Sequence, residues 1–162
     1  MKSTFSQPIL KILFVAYVMG LLYLLFVYDR SMDLSWMVRG GFDRLVEAMQ
    51  YRYNLMPFQT ILSKLAQMGL ANGVETILKD IVGHLLAFSW LGYFMPRLWP
   101  KYKERKTFLW TIGLGLFFVE ILQYFTMTGM MDVDDILLNL SGAYLGLIFL
   151  RKPEEIVEEL HD

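Results

Sequence analysis

The residues able to do chemistry are few, and they fall in three stretches. Asp80 and His84 stand four apart, and Glu120 and Gln123 three apart, so each pair shares one face if its segment is helical. A third group follows in Asp132, Asp134, Asp135 and Asn139. Carboxylates beside one histidine and two amides can move protons, hold a divalent cation or hydrogen-bond a polar ligand. The spacings match no local metal or nucleophile signature. There is no His-Glu-x-x-His, no phosphate loop and no Gly-x-Ser-x-Gly elbow. The chain has no cysteine, which removes disulfide and thiolate chemistry. Spacing alone assigns no catalytic residue, no metal ligand and no cofactor.

The elements that must position these residues are membrane helices. Of the 162 residues, 56% are apolar and only 19% are charged, well under the quarter usual in soluble domains. Four stretches are apolar enough to read as spans: about 8–28, 81–96, 107–127 and 133–150. In lipid the backbone must satisfy its own hydrogen bonds, so the spans are expected to be helices. The expected fold is an all-α integral membrane bundle of four transmembrane helices plus one or two interfacial helices, in one domain over 1–162. The first apolar run lacks a small-x-small cleavage site, so it reads as a retained span and not a signal peptide.

Loop charges give an orientation. Residues 97–106 carry Arg97, Lys101, Lys103, Arg105 and Lys106 against Glu104, whereas 126–135 carry Asp132, Asp134 and Asp135 and no base. Lys2 and Lys11 lie at the N-terminal side of the first span, and Arg151 and Lys152 follow the last. The positive-inside rule then puts both termini and the basic loop in the cytoplasm, and the acidic loop outside the plasma (inner) membrane. Span parity places about 34–75 outside as an extracytoplasmic interfacial segment. Within it, 34–50 has Trp36, Phe42, Leu45, Val46 and Met49 on one face, and 58–71 reads as a second surface helix or a re-entrant piece. A net charge of −1 argues against a nucleic-acid partner.

With that orientation the polar residues of three spans fall at one depth, near the outer surface. Glu120 is flanked by Phe117, Phe118, Val119, Ile121 and Leu122, so it requires a partner, and His84 or Gln123 is the nearest in level. An outward-opening polar pocket follows. Plainer roles compete residue by residue: Asp135 and Asn139 as a cap and its neighbour, Gln123 as glue between helices, His84 as a packed core residue and Asp134 as a solvated acid. The pairs Gly113–Gly115 and Gly142–Gly146 suit close helix approach. The acidic tail from Glu154 to Asp162 reads as a solvated helix end.

Two stretches carry a family resemblance. Asn54-Leu55-Met56-Pro57-Phe58 resembles the N-L-x-P-F element of VanZ-like membrane proteins. The segment from Glu120 through Gly146, with E-I-L-Q, Gly129 and D-V-D-D-I-L-L-N-L-S-G-A-Y-L-G, resembles that family more specifically. Where the family commonly reads N-x-x-x-F-x-P-x-G, this chain has His84 and Trp90 at the asparagine and proline positions. The resemblance covers about 54–148 and implies a protein of the cell envelope associated with antibiotic resistance, the namesake being tied to teicoplanin.

Two functions remain open at this stage. In the first, a non-enzymatic envelope protein binds a lipid-linked cell-wall precursor or amphipathic ligand among membrane lipids. Asn54, Asp80, His84, Glu120, Gln123, Asp132, Asp135 and Asn139 are its candidate ligand-binding residues. In the second, an intramembrane enzyme acts on a lipid or lipid-linked precursor with metal assistance.

Overall fold

A computed structural model describes residues 7–28, 50–66 and 73–149, with the side chains at 61, 64, 65, 73–77 and 80 excepted. Its helices are α1 (Gln7–Phe26), α2 (Gln59–Ala66), α3 (Gly73–Leu98), α4 (Arg105–Phe125) and α5 (Val133–Phe149). A short 3-10 turn, Pro100–Lys103, joins α3 to α4. β1 (Tyr53–Asn54) and β2 (Met131–Asp132) form a two-residue parallel bridge, Tyr53 opposite Met131 and Asn54 opposite Asp132. The expected helix at 34–50 and the acidic tail lie outside the described residues.

The expected spans correspond to α1, α3, α4 and α5, with one shifted boundary. α3 begins eight residues before the predicted start at 81. Glu75, Lys79 and Asp80 make that stretch read as a loop by hydropathy, yet none of them prevents a helix. The region 58–71 contains α2, which is eight residues long and amphipathic. Among the described residues, α1 and α4 are long and apolar enough to cross a membrane. α5, at 17 residues, is about 25 Å long against a hydrocarbon core of about 30 Å. α3 is long enough but carries Glu75, Lys79, Asp80, His84 and Arg97.

α3 and α5 form the tightest pair, with α4 packed on α5 and α1 packed on α3. The core is Leu21 and Leu25 of α1; Phe88, Leu91 and Met95 of α3; Phe108, Ile112 and Leu116 of α4; and Ala143 and Leu147 of α5. Glycine sets the α3–α5 distance. A Cβ on Gly142 would stand 2.6 Å from the Leu85 carbonyl oxygen; one on Gly146 would overlap the Ser89 backbone, and one on Gly92 the Gly146–Leu147 backbone. The two helices therefore touch main chain to main chain, as small residues permit in membranes. The Gly113–Gly115 pair does not do this. Neither glycine has any atom within 4 Å of where its Cβ would be, so the expected packing face there is corrected to an open helix surface.

α1 is held at its middle and near its C-terminal end. Phe14 packs on Phe94 and edge-on to Trp99, with ring centroids 5.9 and 5.3 Å apart, and Tyr17 stacks on Phe94 at 5.6 Å. The Tyr17 hydroxyl donates to the Ala87 carbonyl at 2.6 Å. Near the C-terminal end the Gln123 amide donates to the Leu25 carbonyl at 2.8 Å, satisfying one of the last carbonyls of α1 that the helix itself leaves open.

Candidate functional site

The polar residues gather where α4 ends, α5 begins and the 53–60 segment crosses. α4 closes in a Schellman motif: the Thr128 amide reaches the Gln123 carbonyl (3.1 Å) and the Met127 amide reaches that of Tyr124 (3.3 Å). That motif needs a left-handed residue, and Met127 takes the role with φ 58°. The Met127 sulfur in turn accepts from Arg52 at 3.9 Å. The chain then reverses into β2 and α5, beside β1.

Three buried carboxylates organise the reversal. Glu120, 3% exposed, accepts the Asp132 backbone N–H at 3.0 Å. One of its partners is thus a main-chain donor, where its level in the sequence suggests His84 or Gln123. Asp132 accepts three bonds: from the Asn54 amide (3.1 Å), the Thr60 hydroxyl (2.6 Å) and the Asp134 N–H (2.9 Å). The last of these places a carboxylate at the N-terminus of α5, where helix N–H groups are otherwise unsatisfied. Asn54 also accepts the Met56 N–H at 3.1 Å, which folds the Asn-Leu-Met segment into an Asx turn, and donates to Thr60 at 2.9 Å.

Asp134 is the main correction. The sequence suggests a solvated acid, but its side chain is fully buried. One oxygen accepts the Phe58 N–H at 2.5 Å and the other the Thr60 N–H at 2.8 Å. Thr60 is in the first turn of α2 and Phe58 immediately precedes the helix, so a carboxylate 74 residues from Thr60 in sequence caps it. Phe58 holds φ 69°, a left-handed conformation that costs a bulky residue about 1–3 kcal/mol. The two charge-assisted bonds offset that strain. The N-L-M-P-F and D-V-D elements are therefore two halves of one clamp.

The remaining candidates take other places. His84 lies on α3, and its Nδ1 is 2.8 Å from the Asn139 side-chain oxygen of α5. An oxygen acceptor there requires the hydrogen on Nδ1. Asn139 is 1% exposed, whereas His84 is half-buried and lines a cavity of about 270 Å³ between α1 and α3. Gln123 joins α4 to α1 and is no part of the carboxylate cluster. Asp135 is half-buried in the first turn of α5. The side chain of Asp80 lies outside the described residues. Sequence reasoning gave Asp134 the wrong role and passed over Thr60 and Arg52; the parts of Asp134 and Thr60 become visible once the two motifs are taken to meet.

Within this arrangement the acids act as hydrogen-bond acceptors for main-chain and side-chain donors. Among the described residues no three His, Asp or Glu side chains are disposed to hold a metal ion. What the geometry provides is a hydrogen-bonded corner, with His84 of α3 set at the edge of a cavity.

No curated protein and no solved structure shows a significant match to this chain. The VanZ/LLP1 family model matches residues 14–156, which takes in both halves of the clamp, the His84–Asn139 pair, α4 and most of α1. With most of its length covered and a helical fold rich in membrane-type segments, the chain belongs to the VanZ/LLP1 family.

Proposed function

We propose that this VanZ-like chain is a multi-pass protein of the plasma membrane that binds an amphipathic or lipid-linked envelope ligand and thereby changes susceptibility to glycopeptide-type antibiotics. In this reading α1, α3, α4 and α5 all cross the bilayer, both termini are cytoplasmic, and the clamp lies at the outer face. The spacing on α3 supports that depth. Lys79 and Trp99 are about 30 Å apart along the helix axis, the thickness of the hydrocarbon core, so each falls at an interface. α5 is short because Asp134 and Asp132 enter it from a protein-covered corner, where buried acids are satisfied by protein donors and not by water.

One observation carries the binding reading. Of the polar candidates, His84 stands at a cavity, oriented by Asn139, while Asn54, Glu120 and Asp132 are engaged in the clamp. The clamp holds the corner and His84 faces the ligand.

The test is expression in a glycopeptide-susceptible Gram-positive host. The wild-type chain is expected to raise the inhibitory concentration of teicoplanin, and His84→Ala to return it to the empty-vector level at equal protein abundance. No rise with the wild type, or a rise that His84→Ala leaves intact, contradicts the proposal.

A further inference from the structure

From Tyr51 to Leu62 the chain is turned inside out with respect to water. Its polar side chains face the protein: Asn54 is 8% exposed and Thr60 half-buried, and both bond to Asp132. Its apolar side chains face away. Leu55, Met56, Phe58 and Leu62 are each 57–68% exposed, and Tyr51, Tyr53 and Pro57 stand out with them. Water favours the opposite arrangement, and so many apolar side chains on one short segment mark a surface that an apolar partner covers.

Three further features identify the partner as lipid. Residues 53–63 carry no charge while Arg52 and Lys64 bracket them, so the stretch can enter an apolar medium with its ends held at the polar boundary. Its main chain is also satisfied from within. The N–H groups of Phe58 and Thr60 go to Asp134 and that of Met56 to the Asn54 side chain, while those of Gln59 and Leu62 reach the carbonyls of Met56 (3.3 Å) and Phe58 (2.8 Å). Pro57 has no N–H to satisfy. A turn in water has no need of these partners, because water supplies them; a turn against lipid does. Last, Phe58 keeps its left-handed backbone with its side chain exposed. Strain that presents an apolar ring is offset where the ring leaves water. A protein partner would cover the apolar side chains too, but it brings a polar rim and makes no such demand on the backbone.

We propose that residues 53–63 dip into the outer leaflet as a lipid-contacting loop, deepest at Phe58, which is midway between Arg52 and Lys64. This rests on the reading that the clamp lies at the outer face. The depth is that of an interfacial element, about 5–10 Å, at the boundary of headgroups and acyl chains and not at the bilayer centre. Leu55, three residues from Arg52, stays within reach of water, and Tyr51 lies on the aqueous side of that arginine. The buried acids of the clamp then have a membrane role: they supply from inside the partners that water supplies to an ordinary loop.

The test uses the full chain in phosphatidylcholine vesicles. Trp36, Trp90, Trp99 and Trp110 become Phe, and one tryptophan is returned, as Phe58→Trp or as Tyr51→Trp. Iodide on both sides of the membrane should quench the Phe58→Trp version about threefold less than the Tyr51→Trp version. Bromine near the top of the acyl chains should quench Phe58→Trp more than bromine at the chain ends does. Equal iodide quenching at the two positions, with no effect of bromine, puts the loop in water and overturns the proposal. That result leaves the outward orientation standing, because orientation is read from the side that admits a reagent and not from depth. Protection from iodide without quenching by bromine means that protein, such as a second copy of the chain, covers the loop, and overturns the proposal as well. Should the tryptophan variants not fold, Gln59→Cys and Tyr51→Cys in the otherwise unchanged chain take their place. A water-soluble maleimide should react about threefold more slowly at the first, and equal rates overturn the proposal.

Discussion

Asp134→Ala is expected to cost this protein about 3–5 kcal/mol, because it withdraws the carboxylate that accepts from two part-buried main-chain donors at once. Each charge-assisted bond to such a group contributes about 1.5–3 kcal/mol, and a donor left unpaired adds its desolvation cost. The Phe58 and Thr60 amides lose their carboxylate, and Phe58 is left in a left-handed conformation with nothing to offset its strain. A thermal melt in detergent should show the midpoint lowered by roughly 10 °C. Asp134→Asn keeps one acceptor oxygen in place and should lose about half as much. Limited proteolysis should cut the 50–60 segment first in Asp134→Ala. A midpoint within a degree or two of the wild type would mean that Asp134 is a solvated acid after all.

Gly146→Val is expected to be at least as damaging, for a different reason. The Ser89 main chain of α3 occupies the space a Cβ would need, and backbone, unlike the tip of a side chain, does not move aside alone. The helices must separate, and separating them pulls Ala143 and Leu147 out of the core and stretches the bond between His84 and Asn139. Overpacking that moves a backbone costs about 3 kcal/mol or more, so the variant should fail to accumulate as a monodisperse species in size-exclusion chromatography. Gly113→Val, a change of the same type on α4, is the control. It has open space around it and should elute as the wild type does. Equal behaviour of the two variants would remove main-chain contact as the basis of α3–α5 packing.

These two sites show what could be read from the sequence and what could not. The long helices were legible because apolar runs leave few other solutions in lipid, and α1 and α4 appear within two residues of the expected limits. The first two turns of α3 were not legible, since hydropathy responds to Glu75, Lys79 and Asp80 and is blind to a helix that extends past the bilayer. Glu120, Gln123 and Asn139 were recognisable as buried polar residues on two helices. Their partners were not, because Glu120 and Gln123 bond main-chain groups, which every residue carries and no residue type marks. Asp134 was misjudged for the same reason: its partners are the amides of a strained turn 74–76 residues away. Gly113–Gly115 and Gly142–Gly146 look alike in sequence, and only the neighbouring helix separates them.

The proposed function depends on the side of the membrane that the clamp faces. Because the chain has no cysteine, each introduced cysteine is a single reporter. Leu55→Cys and Met130→Cys sit on exposed positions of the two halves of the clamp, and Lys103→Cys on the exposed basic turn between α3 and α4. In intact cells a membrane-impermeant maleimide should label the first two and leave the third unlabelled until the membrane is opened. Labelling of Lys103→Cys in intact cells, with Leu55→Cys and Met130→Cys protected, would contradict an outward-facing site.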